Sequence, residues 1–358
     1  MNLNKNIFRK LFYYFLFIFL VFLFIIIVIL IYLKEEFVKP LSLSYNKEDI
    51  IIEIPKGANS KEIFSILKNK NIIDNKILYY FSVIIKGDKY LPKYGEYSIS
   101  KNYSISEVLD IINSGNSIQR KITLPEGLTT KEIIEVVLSN QYLKGEIESD
   151  IKNLEGIFLP ETYFFYNGYS RNELLYRMKN AMEKTLEEKW KTRDQNLPYS
   201  NKIEALILAS MIESETGAAP ERKLIASVFV NRIRKKMKLQ SDPTVVYGLE
   251  KNNNFEIKKL KRSHLKIDHQ WNTYTRNGLP KSPICNPGKQ SIEAVMKPFN
   301  TDYLYFVSDE KGGHLFARSL NEHNKNILYI KKNKLLTLND NKTKNLSAAD
   351  LPLSKPTF

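Results

Sequence analysis

The segment Ile203 to Gly217, IEALILASMIESETG, carries three carboxylates at helical spacing, and one of them is out of place. Glu204, Leu208, Met211 and Glu215 follow at steps of four and three, so they share a stripe that reads as the wet edge of a helix. Glu213 lies roughly 160° round from Glu215 at ~100° per residue, in line with Leu206, Ala209 and Ser210. An unpaired carboxylate among small and apolar neighbours holds its proton to higher pH and can donate it near neutrality. The spacing points to Glu213 as a general acid. The alternative is an ion pair between Glu213 and an arginine inside the fold.

Three further segments carry groups that could act beside it. In Leu239-Gln-Ser-Asp-Pro-Thr-Val-Val-Tyr247, Asp242 and Pro243 suit the N-cap and first position of a helix, so Asp242 reads as a cap or as a second carboxylate. Gln240 stands just before it. Trp271-Asn-Thr-Tyr-Thr275 leads into Gly278 to Gly288, eleven residues with three prolines and two glycines. That composition describes a rigid exposed loop of the kind that holds substrate, with Asn272 offering hydrogen bonds and Tyr274 a stacking face. Tyr303 to Val307 reads as a strand, and Gly312-Gly313 turns the chain so that His314 heads a returning strand. The four histidines show no metal-ligand spacing, and no metal or organic cofactor is expected. A triad of Ser210, His314 and Asp302 lacks the elbow that would expose its serine.

The elements that must position these groups are legible in outline. Leu11 to Leu33 is 23 residues without a charge, enough at ~1.5 Å per residue to cross a bilayer core of ~30 Å. It runs into Lys34, Glu35 and Glu36 rather than into small residues, and so reads as an uncleaved anchor. Lys5, Arg9 and Lys10 make residues 1–10 the denser in positive charge, which places that tail in the cytoplasm and the remainder outside. After a linker over 34–48, a first small α/β lobe spans 49–118, a second lobe and connector 119–199, a catalytic domain 200–335 and a poorly ordered tail 336–358. The two lobes echo one another: Ile54-Pro-Lys-Gly-Ala-Asn-Ser-Lys-Glu-Ile63 returns as Leu124-Pro-Glu-Gly-Leu-Thr-Thr-Lys-Glu-Ile133. Asn59 with Glu62, and Thr129 with Glu132, suit capping boxes. Tyr90, Tyr94, Tyr97 and Tyr103 could stack on sugar rings or pack on their own sheet. The long charged stretch Glu173 to Arg193 is helical, with Leu175, Met178, Met182 and Leu186 on its apolar face.

The net charge of +15 comes from 54 Lys and Arg against 39 Asp and Glu. The lysines are spread along the chain without an arginine-rich helix, which argues against nucleic acid as partner. Cys285, the single cysteine, permits no intrachain disulfide.

Together the segments LEGIFLPETY, ASMIESETG, LQSDPTVVYG, NTYTRNGLPKSPICNPG and FVSDEKGGHLFARSLNEHN resemble the MltG (YceG-like) family of endolytic murein transglycosylases, from the anchor to about Lys325. The sequence departs from that family at His269-Gln270-Trp271 and at Cys285. The resemblance implies an α+β protein with one inner-membrane helix, a LysM-like lobe and an external α+β catalytic domain. By motif, the family's catalytic glutamate falls on Glu213. Gln240, Asp242, Asn272, Tyr274 and His314 would then orient the glycan, and the partners would be peptidoglycan strands and their synthases, including penicillin-binding proteins. Glu213 would protonate the glycosidic oxygen and then take the proton of the muramic acid C6 hydroxyl, closing a 1,6-anhydro ring. The rivals are a hydrolase using Glu213 with Asp242, and an anchored scaffold without catalysis.

Overall fold

In the computed structural model, residues 3–41, 49–100, 102–253 and 256–349 are described. Residues 42–48 of the expected linker over 34–48, and residues 350–358 of the expected tail, lie outside them.

The first unit comprises residues 1–121 with 164–168. Helix α1 (Leu3–Val38) is longer than the apolar run at its centre. Its side chains, among them Phe12, Leu20 and Ile31, are exposed, and Ile7–Val38 is long and apolar enough to cross a bilayer. Phe37, at its end, is buried in the unit's core. Strand β1 (Ile50–Ile54), α2 (Ser60–Asn69), α3 (Lys76–Lys86) and β2 (Gly95–Ile99) follow, with β1 and β2 antiparallel and Ile52 opposite Tyr97. Alternation along β1 puts Ile52 and Ile54 inward, and α4 (Ile105–Ser114) adds Val108, Leu109 and Ile112 to the same core. Tyr90 and Tyr97 are buried in it, so these two pack inside the unit.

The second unit comprises residues 122–163 with 169–358, and the chain enters it through β3 (Arg120–Thr123). It contains α5 (Thr130–Ser139), β4 (Leu143–Lys144), α6 (Ser149–Lys152) and, after β5 (Thr162–Phe165), β6 (Tyr169–Ser170), which pairs parallel with β4. Then come α7 (Arg171–Lys191), α8 (Lys202–Glu215), α9 (Arg222–Arg234), α10 (Asp242–Asn253) and α11 (Lys289–Met296). The hairpin β7 (Tyr305–Ser308) and β8 (His314–Ala317) precedes α12 (Leu320–Ala349). Residues 336–349, expected to be poorly ordered, continue α12 as helix.

Both capping boxes form. Asn59 and Thr129 each receive the N3 amide, and Glu62 and Glu132 reach back to the cap. Gly57 and Gly127 make the two preceding turns with φ near +80°, a region a side chain would strain. The second copy does not stand as a lobe of its own. Its turn is pinned within the second unit by the wholly buried Asn286, whose backbone and side-chain N–H groups donate to the Leu128 carbonyl at 2.8 and 3.0 Å.

The core of this unit surrounds α8. Ala205 to Ile212 are buried without interruption, packed with Met182 and Leu186 of α7, Ile225 and Phe229 of α9, and Ile292 and Val295 of α11. A helix enclosed on all sides has no wet stripe.

Candidate active site

Two carboxylates leave the last turn of α8 in different directions. The side chain of Glu213 is 4% exposed and meets Arg222 at 3.0 Å, while its other oxygen accepts the Gly288 N–H at 2.8 Å. Arg222 also donates to Glu126 at 3.1 Å, to Ser291 at 3.1 Å and to Gln290 at 2.9 Å. This network ties the Pro-Glu-Gly turn at 125–127, the end of α8 and the start of α11 together. A side chain at Gly288 would displace the Glu126 carboxylate from its place beside Arg222. Burial and the charge of Glu213 together raise the pKa of Glu126. The expected niche for an unpaired Glu213 is therefore absent, and the ion-pair alternative is the one realised.

Glu215, placed by the stripe argument on a wet edge, has the environment expected of Glu213. It is the last residue of α8, half-buried, and accepts a hydrogen bond from the Ser241 hydroxyl at 2.5 Å. Burial pushes its carboxyl up to about 7, the charge of Asp242 adds to this, and Ser241, His314 and Arg232 oppose it. A carboxylate at a helix C-terminus also faces the negative end of the helix dipole. That misplaced charge, just before the break at Thr216-Gly217, is the signal the spacing argument passed over.

Glu215 borders two clefts. One, of about 310 Å³, is lined by Gln240, Asp242, Tyr274, Arg232 and His323. The other, of about 410 Å³, is lined by Gly217, Phe306, Ser308 and His314. Of the residues expected in the site, Gln240, Asp242, Tyr274 and His314 are thus brought to Glu215. Asp242 accepts from the Tyr274 hydroxyl at 2.6 Å, which, with burial as the larger cause, raises the pKa of that phenol. Gln240 holds a left-handed backbone, φ +51°, and its N–H donates to the Thr273 carbonyl at 3.2 Å. Arg232 donates to the Leu304 and Leu239 carbonyls, each at 2.6 Å, and is fixed by them.

Asn272 is not available to substrate. Wholly buried, it donates to the carbonyls of Leu265 and Ile267 at 3.1 and 2.7 Å and accepts the Tyr274 N–H at 2.8 Å. It positions Tyr274 by holding the loop. The Gly278 to Gly288 loop is likewise only half as expected: Gly278 and Lys281 are exposed, but Pro283 to Gly288 are buried and structural. Ser210 is buried, its hydroxyl donating to Ile207 and accepting the Ile284 N–H, so it has no nucleophilic part.

The sequence profile described as the YceG-like family matches residues 52–328. The chain belongs to the YceG-like family. Among its relatives, an endolytic murein transglycosylase of Bacillus subtilis strain 168 is 31% identical over 310 residues, covering 78% of this chain and 84% of that protein. One from Streptococcus pneumoniae serotype 2 strain D39 is 26% identical, and the match spans 79% of this chain but only 58% of that protein. A YceG-like protein of Listeria monocytogenes, known from a crystal structure, is 30% identical, with a TM-score of 0.50 over 78% of this chain and 99% of that one. The YceG-like match contains every residue described at the two clefts.

Proposed function

We propose that this YceG-like chain is a membrane-anchored endolytic lytic transglycosylase of peptidoglycan, with Glu215 as its general acid. The observation that carries the proposal is the Glu215 carboxyl, its pKa raised to about 7, at the junction of two clefts. Glu215 would protonate the oxygen between N-acetylmuramic acid and N-acetylglucosamine within a strand, and the muramic C6 hydroxyl would attack C1 to leave a 1,6-anhydro end. The substrate supplies the nucleophile, so the enzyme's task is to hold a near-attack geometry and move protons. Asp242, Tyr274 and Gln240 would orient the glycan in one cleft and His314 in the other. The names of the Bacillus and Streptococcus relatives support the same reaction.

The anchor α1 would hold the site near emerging strands at the bacterial cell membrane, with the N-terminus cytoplasmic, the catalytic domain outside and peptidoglycan synthases as neighbours. The β-α-α-β order of β1, α2, α3 and β2 supports a LysM-like reading of the first lobe. A second reading, hydrolysis by Glu215 with Asp242, is favoured by one observation, that both carboxylates line one cleft. Mass analysis of fragments from purified glycan treated with the full chain in detergent decides between them. Anhydro ends support the transglycosylase, reducing ends the hydrolase, and unchanged strands a non-catalytic scaffold.

A further inference from the structure

Helix α3 is apolar on both sides and covered on only one. Leu78, Tyr79 and Ser82 are buried in the first unit, whereas Ile77, Ile84 and Ile85 are 72%, 75% and 46% exposed. At ~100° per residue, Ile77, Tyr80, Phe81, Ile84 and Ile85 fall within about 140° of arc and form one outer stripe. A helix apolar all round is ordinarily enclosed, yet among the described residues nothing encloses the three isoleucines. A contiguous apolar face of this kind marks a contact surface.

The level of the stripe is set by α1. Phe37 is buried in the unit's core, and Leu33 packs against that core. Lys86, the last residue of α3, carries its Nζ 5.5 Å from the centroid of the Phe37 ring. The same ammonium meets Asp110 of α4 at 2.5 Å and donates to the Ser106 hydroxyl at 3.0 Å, so α3 is tied to the end of α1 and to α4 together. Phe37 stands four residues beyond Leu33, the end of the uncharged run, which is ~6 Å along the helix axis. The headgroup layer is about 5–8 Å deep on each side of a bilayer. With α1 near the bilayer normal, Phe37 and the Lys86 end of α3 therefore stand at headgroup level, and Ile84 and Ile85 immediately precede Lys86. The charge around the stripe has the matching sign. From Lys76 to Lys93 there are four lysines against one carboxylate, Asp88, and Lys76 and Lys89 are exposed.

We propose that the outer stripe of α3 is a second membrane contact, with Ile77, Ile84 and Ile85 dipping into the bilayer that α1 spans and Lys76 and Lys89 among its anionic headgroups. The inference rests on the reading of α1 as an anchor. An apolar helix face lying in the interface reaches ~5–10 Å into the boundary between headgroups and acyl chains. One attachment lets the first lobe swing and tilt with its helix. Two attachments hold one face of the lobe against lipid.

The test uses the full chain reconstituted in vesicles of phosphatidylglycerol and phosphatidylcholine, with an environment-sensitive fluorophore on one introduced cysteine. Cys285 is 2% exposed and should stay unlabelled, which labelling of the parent chain checks. Probes on Ile77→Cys and Ile84→Cys should emit to the blue, lose intensity to nitroxides on the lipid acyl chains and be sheltered from aqueous iodide. A probe on Lys61→Cys, on α2 and outside the stripe, should show the reverse. An Ile84→Cys probe open to iodide and untouched by lipid nitroxides would overturn the proposal. Shelter from iodide without lipid quenching would overturn it too, because a protein partner or a second copy would then cover the stripe. A Leu20→Cys probe separates the two failures. Unquenched by the acyl-chain nitroxides, it would overturn the anchor reading itself; quenched while Ile84→Cys is not, it would keep the anchor and remove only the contact through α3.

Discussion

Glu213 and Glu215 are two residues apart and sit in different surroundings, one ion-paired to Arg222 and one bordering both clefts, which single substitutions separate. Replacing Glu213 by alanine leaves Arg222 buried with only Glu126 as a carboxylate partner, a loss on the order of 3 kcal/mol in denaturant unfolding. Glu215→Gln should behave the opposite way. The folded pKa of Glu215 is raised to about 7 from an ordinary 4.5, so the stability its proton contributes is complete below pH 4.5 and is lost as pH rises through 7. The melting temperature of the amide variant should therefore gain on the wild type between those pH values and hold that gain above them. Catalysis follows the same proton: kcat should fall above pH about 7, because the acid must be protonated to donate. A profile flat from pH 6 to 9 would contradict the assignment.

Among the elements, the helix ends were the most legible. Asn59 with Glu62 and Thr129 with Glu132 are local signals, completed within four residues, and they form as read. The strand, double-glycine turn and His314 on the returning strand are equally local. What spacing could not give was the environment of α8, because a stripe has meaning only when one side of a helix is wet. The partners that separate the two glutamates, Arg222 and Gly288 for one and Ser241 for the other, come from other elements. Asn272 misled for a related reason: a polar loop residue reads as a ligand until its backbone partners are seen. Asn272→Ala would strand the Leu265 and Ile267 carbonyls, at a cost of about 2 kcal/mol or more. Urea unfolding checks the cost, and glycan turnover should fall as Tyr274 loses its support.

For the whole molecule, the division into units follows burial rather than repetition. The strand, turn and helix motif occurs twice, yet Asn286 binds the second copy into the unit that carries the clefts. The exposed apolar length of α1 makes a further prediction about the intact chain. Expressed in full it should sediment with membranes and resist extraction by high salt, yielding only to detergent. Release by salt alone would mean that basic surface, and not α1, holds it there.

The most direct measurement compares fragments released from purified glycan by the wild type, Glu213→Gln and Glu215→Gln, each at equal folded concentration in detergent. The predicted result is 1,6-anhydro ends from the wild type and from Glu213→Gln, and none from Glu215→Gln. Anhydro ends from Glu215→Gln, or their loss only in a folded Glu213→Gln enzyme, would contradict the account.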